Sequence, residues 1–429
     1  MITNKFSPGG TIQRGRKMAD RVIICRKYGW ETIVLAPLKR DLSVGKGEDL
    51  SEFKIHCAVN NRRESIMGQE QTFIENEKTN QNATRIFKDA IKKFSPFLLF
   101  PDGLNRYIFS IYRKAREIIA QEKIDAFYTM CMPVSLHIVG LLLKKSTKLP
   151  WLAEFRDAWV KNPNRFDGEA GFVHKYLEKQ VVRSCDKVVW NYGVQIPPQY
   201  FESTYQDQPK SKFEQLPSPG FDGFYFEKYA SIKPIEFDRF TITYAGNFYK
   251  ALTPEAFFKG LKLFIDENKV GVEDMRVNFF GDWSTEFSDD LKKLGLTGFV
   301  RYLGKISYEE CLKHLLGSSV NLLIIRRASG DELNVPSKMT DYIFAGKPIL
   351  TIAKQSWEAA KYVRNNRLGV VADPDNNKEI ADAIRHLYSS YKNGDKSSFP
   401  PDRDFVENID STIIMKRYCS FLDEILQNE

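Results

Sequence analysis

The sequence predicts an α/β protein of two domains, each built on a parallel sheet. Three observations carry that expectation. Short apolar runs alternate with amphipathic stretches of helical period along the chain, the pattern left by βαβ units. The alternation lapses near residue 216 and restarts near residue 240, so a second α/β unit follows the first. The length, 429 residues with 42% hydrophobic, exceeds what one core holds at roughly 100–200 residues per domain.

Taken in order, Glu31–Ala36, Ala126–Cys131, Trp151–Phe155 and Lys187–Asn191 read as strands of the first domain. Pro133–Lys145 and Lys175–Ser184 read as its helices, because their apolar residues recur at helical spacing. The second domain's strands are Phe240–Tyr244, Val277–Phe280, Val320–Ile325 and Pro348–Ile352. Between the two, Leu216–Asp222 is rich in Pro and Gly and suits a linker. The predicted division is residues 1–215, an interdomain linker at 216–239, a second domain at 240–405, and a closing amphipathic helix at 406–429. In that helix Ile409, Ile413, Ile414, Phe421, Leu422, Ile425 and Leu426 share one face. Asn60–Ala83 is polar without a period and reads as a long loop or an insertion. Phe94–Arg116 interleaves aromatic and basic residues, which suits a membrane interface or helices covering the first core.

Charge is unevenly shared. The chain has 63 Lys+Arg against 55 Asp+Glu, a net +8, and residues 1–200 alone carry 33 basic and 21 acidic groups, or +12 against −4 for the rest. The basic half therefore favours an anionic partner. Six cysteines without C-x-x-C spacing fit buried thiols in a reducing compartment. Five histidines form no H-E-x-x-H and no cluster with cysteine, so no metal is expected. No apolar run is long enough to span a membrane, and residues 1–10 lack a signal peptide's core, so a cytoplasmic location is expected.

P-loop, hydrolase-elbow and dinucleotide fingerprints are absent; Gly45-Lys46-Gly47-Glu48-Asp49-Leu50 lacks the third glycine. Two segments offer anion sites. Phe6-Ser7-Pro8-Gly9-Gly10-Thr11 enters a helix-like stretch, and a Gly-Gly loop there either exposes amides to a phosphate or a sugar hydroxyl or makes a plain turn. The strand expected before it is short, only Met1–Lys5. Further on, Pro336 and Ser337 read as a helix start with Ser337 as N-cap, so that Lys338 and the free amides form an anion site at the helix dipole's positive end. Asp341 follows about one turn later, where its carboxylate would accept from a ribose diol, the plainer alternative being a capped helix with solvated charges.

In their order, Phe6-Ser7-Pro8-Gly9-Gly10, Tyr28-Gly29-Trp30-Glu31, Glu154-Phe155-Arg156-Asp157-Ala158-Trp159, Pro219-Gly220-Phe221-Asp222, Tyr244-Ala245-Gly246-Asn247 and Pro336-Ser337-Lys338 through Pro348 resemble a bacterial family-four-like glycosyltransferase of the GT-B fold. The resemblance covers nearly the whole chain. It implies two facing Rossmann-like domains with a C-terminal closing helix, a nucleotide-sugar held mainly by the second domain and an acceptor by the first. It also implies that Lys338 and the helix start at Ser337 hold the diphosphate, that Asp341 replaces a ribose-binding Glu, and that Gly246 lines the nucleotide cleft with Asp282 near base or ribose. Gly9 and Gly10 would meet diphosphate and acceptor, and Arg156 and Asp157 would flank the reacting sugar as the catalytic groups. Two positions depart from the family pattern. Leu333 stands where the first of a pair of Glu residues is usual, with Asp331 and Glu332 one or two places away, and Asn247 stands where an Arg is usual. Lys250, Arg326 or Arg327 would then supply that positive charge.

The function this implies is transfer of a sugar from a nucleotide-sugar to a lipid-linked or polysaccharide acceptor, retaining and metal-independent. No cofactor beyond the donor substrate and no nucleic-acid partner is expected, and the basic half would contact an anionic membrane peripherally. The alternatives are a sugar-nucleotide epimerase, which needs a denser set of acidic and histidine residues, and a non-catalytic sugar-nucleotide binder.

Overall fold

The computed structural model describes residues 1–3, 13–42, 51, 53–59, 102–160, 170–191, 193, 196–197, 199–217, 231–248, 252–327, 330–394, 405, 409 and 411–427. The chain divides into two compact units. Unit 1 comprises residues 1–190, 199–215 and 415–429, and unit 2 comprises 191–198 and 216–414. The expected linker at 216–239 thus belongs to unit 2, and most of the closing helix belongs to unit 1.

In unit 1 the strands are β1 (Ile33–Leu38), β2 (Lys54–Val59), β3 (Phe127–Cys131), β4 (Trp151–Phe155), β5 (Lys187–Asn191) and β6 (Phe213–Leu216). β1 pairs with β2, and β3 to β6 are neighbours in that order, the β1–β2, β3–β4 and β4–β5 pairings being parallel. Ile2 bridges β1 on one side and β3 on the other, both parallel. Its amide donates to Tyr128 O at 2.9 Å, and Leu35 N donates to Met1 O at 2.8 Å. The short first strand read from the sequence is therefore the link that joins the two groups of strands, in the order β2-β1-Ile2-β3-β4-β5-β6. Every residue of β4 is buried, as a parallel strand covered on both faces requires.

Among the described residues unit 1 carries α1 (Gln13–Lys27), α2 (Ile108–Gln121), α3 (Ser135–Thr147), α4 (Ala170–Ser184) and the short α5 (Tyr200–Thr204), besides most of the C-terminal helix. α3 approaches the sheet closely because residue 140 is glycine: a Cβ there would lie 2.4 Å from the Trp151 ring. Its first turn has no cap of its own. Asp102, from the segment before α2, accepts from Ser135 N at 2.9 Å and Ser135 Oγ at 2.7 Å instead.

Unit 2 carries β7 (Phe240–Ala245), β8 (Met275–Phe280), β9 (Val300–Tyr302), β10 (Val320–Ile324), β11 (Ile349–Ile352) and β12 (Gly369–Ala372), in one parallel sheet of order β12-β11-β10-β7-β8-β9. Its helices are α6 (Glu255–Asn268), α7 (Thr285–Lys293), α8 (Tyr308–Gly317), α9 (Met339–Ala345), α10 (Glu358–Asn365) and α11 (Asn377–Lys392). Alternate residues of β10 feed two cores. Leu322 and Ile324 pack with Tyr244, Phe257 and Phe279, whereas Leu323 packs with Leu312, Met339, Tyr342 and Ile349. Each such wholly buried side chain contributes about 1.5–3 kcal/mol over leaving it in water.

The last helix is α12 (Ser411–Gln427), starting five residues later than the Val406 end of the predicted segment. Ile414, Phe421 and Ile425 are buried as expected, but Ile413 is exposed. In unit 1, Lys187 Nζ lies 3.2 Å from Glu424 and over the Phe421 ring, and Trp30 Nε1 donates to Asp423 at 3.1 Å. Asn191–Pro198 belongs to unit 2 because Gly193 O accepts from Val335 N at 2.8 Å. Asn60–Ala83 and Phe94–Pro101 lie outside the described residues.

Candidate functional site

The strand order of unit 2 reverses at β7: the chain runs from β7 outward to β9, then returns to the other side of β7 as β10. At such a reversal the connections leave in opposite directions, and a crevice opens outside the carboxyl ends of the two strands. Residues following β7 and β10 line it.

α9 is placed there by one side chain. The wholly buried Tyr342 hydroxyl accepts from Ala245 N at 3.2 Å and donates to Leu322 O at 2.9 Å, so it binds the helix to β7 and β10 together. The residue before α9 is Lys338, whose ammonium donates to Tyr244 Oη at 3.1 Å and lies 4.2 Å from the centre of the Tyr244 ring. Gly246 makes room for it. Its φ of +148° favours glycine, and a Cβ at that position would sit 2.3 Å from Lys338 Nζ. Gly281, after β8, packs on the Gly246 carbonyl in the same way, at 2.2 Å from its own absent Cβ.

The surrounding groups are held to one another. Asn247 Oδ1 accepts from Asp282 N at 3.0 Å, and the Asp282 carboxylate pairs with Lys305 at 2.7 Å. Tyr302 donates to Gly281 O at 2.9 Å while its ring stacks on Trp283. Asp341 Oδ1 accepts from Tyr308 at 2.7 Å. Among the described residues no carboxylate lies within ion-pair distance of Lys338. Burial lowers its pKa to about 8, against the charges of Cys311 and Asp341, which raise it.

Gly246, Asn247, Asp282, Lys338 and Asp341 are thus gathered around the carboxyl ends of β7 and β8 and the start of α9. Three expectations change. Ser337 is not the N-cap: α9 begins at Met339 with Lys338 before it, and Ser337 is exposed. The first amides of the helix are not all open, because Met339 N donates to Pro336 O at 2.9 Å and Thr340 N to Ser337 O at 3.2 Å. Nor is Arg326 a spare cation, since it makes a two-pronged pair with the buried Asp331, at 2.7 and 2.8 Å. Arg327 likewise pairs with Asp375. Gly9, Gly10 and Lys250 lie outside the described residues.

In unit 1, Arg156 and Asp157 follow the carboxyl end of β4. Arg156 Nε lies 3.3 Å from Glu154 Oε1, and its amide donates to Cys131 O at 2.9 Å. Glu154 opens one of the segments that carry the resemblance but has no role assigned from the sequence, since it stands within an apolar strand. It is wholly buried and receives Arg21 at 2.8 and 3.2 Å and the Tyr128 hydroxyl. Burial alone would raise its carboxyl, but the Arg21 and Arg156 charges, with hydrogen bonds from Arg21 and Tyr418, hold it down at about 2. The signal that finds it is an acid amid buried neighbours with a basic residue two places on.

No protein-family model matches the chain. No curated protein matches it. Solved structures do. Sucrose-phosphate synthase from Thermosynechococcus elongatus superposes with a TM-score of 0.61 at 10% identity, over 100% of this chain and 96% of that one. A glycosyltransferase from Rickettsia africae gives 0.60 at 14%, over 100% of both chains. The fold is GT-B. Anabaena HepE, solved with UDP-glucose, shares the GT-B architecture at a TM-score of 0.52 and 11% identity, over 100% of this chain and 98% of its own. The GT-B assignment agrees with the sheet order of unit 2 and with the α/β composition of both units.

Proposed function

We propose that this GT-B protein is a glycosyltransferase that takes a nucleotide-sugar as donor and passes the sugar to a lipid-linked or polysaccharide acceptor, with retention and without a metal. The observation that carries this reading is the Lys338 ammonium, seated by Gly246 at the strand reversal and bonded to the Tyr244 hydroxyl. As the glycosidic bond breaks, negative charge grows on the leaving diphosphate. A fixed cation there stabilises the transition state more than the ground state, which is what raises the rate. That the GT-B protein HepE was solved with UDP-glucose supports a nucleotide-sugar as donor.

Asp341, oriented by Tyr308, takes the ribose, while Asn247 and Asp282 shape the loop beside the base. Arg156 and Asp157 serve the acceptor side, where Glu154 holds the Arg156 guanidinium in place. In the retaining course the acceptor hydroxyl attacks from the leaving-group face. Its oxygen bonds to the anomeric carbon as the bond to diphosphate breaks, and its proton passes to a diphosphate oxygen. Lys338 supplies the cation, so the reaction calls for no metal. A lipid-linked acceptor is supported by exposed aromatics among basic residues on α2 and α4, which suit docking on an anionic membrane.

A panel of UDP-, GDP- and ADP-sugars, read by thermal shift and by donor hydrolysis with and without EDTA, tests the reading. One nucleotide stabilises the wild type and is slowly hydrolysed, and turnover survives EDTA. Lys338→Ala and Asp341→Ala each weaken that nucleotide about tenfold or more, as loss of a hydrogen bond to a charged group requires. Unchanged affinity in both variants removes the donor assignment. Loss of turnover in EDTA, restored by Mg²⁺, removes metal independence.

A further inference from the structure

We propose that Cys25 and Cys419 form a peroxide-closed clasp, a disulfide that ties the last helix to the first. The two thiols come from opposite ends of the sequence and meet inside unit 1. Cys25 is on α1 and Cys419 on α12, both are buried, and the Cys419 thiol donates to Cys25 Sγ across 3.7 Å. A disulfide requires the two sulfurs to close from 3.7 Å to about 2.05 Å.

Cys25 is also reachable. It lines a cavity of about 330 Å³ whose walls include Arg21, Trp30, Tyr128, Met415 and Tyr418. Hydrogen peroxide is close to water in size and fits where a bulky disulfide reagent does not. The local chemistry makes Cys25 the sulfur that attacks the oxidant first. The Cys419 thiol donates to it, the Arg21 guanidinium is near, and Thr32 donates as well, all of which favour its thiolate over that of Cys419. Cys185, by contrast, is wholly buried with its thiol pushed up to about 12 by burial.

The chemistry balances in two steps. The Cys25 thiolate attacks one oxygen of the peroxide, an S–O bond forms as the O–O bond breaks, and hydroxide leaves with the proton that Cys25 had lost, as water. Cys419 sulfur then attacks the Cys25 sulfenic sulfur, the S–S bond forms, and the departing hydroxide takes the Cys419 proton. Two thiols are oxidised and one peroxide is reduced to two waters.

The test is peptide mapping of the full chain after brief treatment with stoichiometric hydrogen peroxide, alkylation of remaining thiols, and digestion without reductant. The expected result is a loss of two hydrogen masses, a cross-linked peptide pair containing Cys25 and Cys419, and both peptides released by dithiothreitol. Cys57, Cys131, Cys185 and Cys311 stay alkylated. A folded Cys419→Ala variant should instead accumulate Cys25 sulfenic acid that dimedone captures; should it not fold, the wild-type map decides alone. The proposal is overturned if both thiols are alkylated after peroxide, if Cys25 advances to sulfinic acid while Cys419 stays free, or if Cys25 is joined to another cysteine.

Discussion

At the scale of single residues, the site turns on an ammonium that burial has made easy to discharge. Burial lowers the Lys338 pKa to about 8, and the charges of Cys311 and Asp341 act to raise it. A diphosphate needs the protonated form, so affinity for the free nucleotide should be flat below pH 8 and fall about tenfold per pH unit above it. Asp341→Asn removes a charge that raises the Lys338 pKa and should move that decline to lower pH. Nucleotide dissociation constants from pH 6.5 to 9.5 check both, and a flat profile in the wild type would show that Lys338 does not meet the phosphates. Lys338, Gly246 and Asn247 were legible because they stand beside a Pro-Ser start or a strand end. Tyr244 was not. It completes the run Phe240–Ala245 as an ordinary apolar strand residue, and its partner lies 94 residues away, a pairing only the folded sheet makes. Tyr308 escaped for the same reason, since nothing local links it to Asp341.

At the scale of elements, long periodic segments were readable and short edges were not. β4 and β5 have the bounds the sequence predicts, whereas β9 has three residues and β12 four, too few for any period to show. The start of α9 lies later than the sequence predicts because Pro336 and Ser337 form the preceding turn, whose carbonyls take the first two amides of the helix. Surface helices make a prediction that their apolar faces explain only in part. On α2, Phe109 is 75% exposed and Arg106, just ahead of the helix, and Arg113 stand exposed near it; on α4, Phe172 is 76% exposed beside Val173, Tyr176, Lys175 and Lys179. Other faces of these helices bury Ile111, Ala115 and Glu178, so core packing does not account for the exposed aromatics. Each basic residue near an anionic surface contributes about 1 kcal/mol, so four of them with inserted aromatics give reversible, salt-sensitive binding. Cosedimentation should show pelleting with anionic vesicles at low salt, release at high salt, and weaker pelleting in the double variant Phe109→Ala, Phe172→Ala. Absence of pelleting at low salt would leave the acceptor without a membrane surface.

At the scale of the whole molecule, the two units share an architecture but differ in the charge they bury. The composition showed the first half to be basic, yet gave no hint that its core holds ionisable groups, because burial of a titratable side chain depends on which face the sheet covers. Unit 1 encloses His137, Glu154 and Glu178 with no exposure. His137 bonds Thr129 Oγ1 at 2.8 Å and packs 4.6 Å from the Phe155 ring, and burial lowers its pKa to about 3. In the unfolded chain it titrates near 6.5, so the folded form is the one that refuses the proton. Its contribution is fully present above pH 6.5 and is lost as pH falls towards 3, at about 1.4 kcal/mol per pH unit. Glu178 works the other way. It is held by Tyr200 and Tyr205 at 2.7 Å each with no cation beside it among the described residues, and burial raises its carboxyl, so acidification through that raised value relieves a cost. Comparing the wild type with His137→Phe separates the two, since Glu178 is common to both while the ring contacts are kept. At pH 7 the variant should be less stable by about 1 kcal/mol for the lost hydrogen bond. Between pH 6.5 and 4.5 the wild type should lose roughly 2 kcal/mol more than the variant, so their order reverses on acidification. Denaturant unfolding followed by tryptophan fluorescence reports the event, because Trp151, Trp159 and Trp190 are all buried in unit 1. Parallel pH profiles for the two proteins would show that His137 is not the group through which acid loosens this unit.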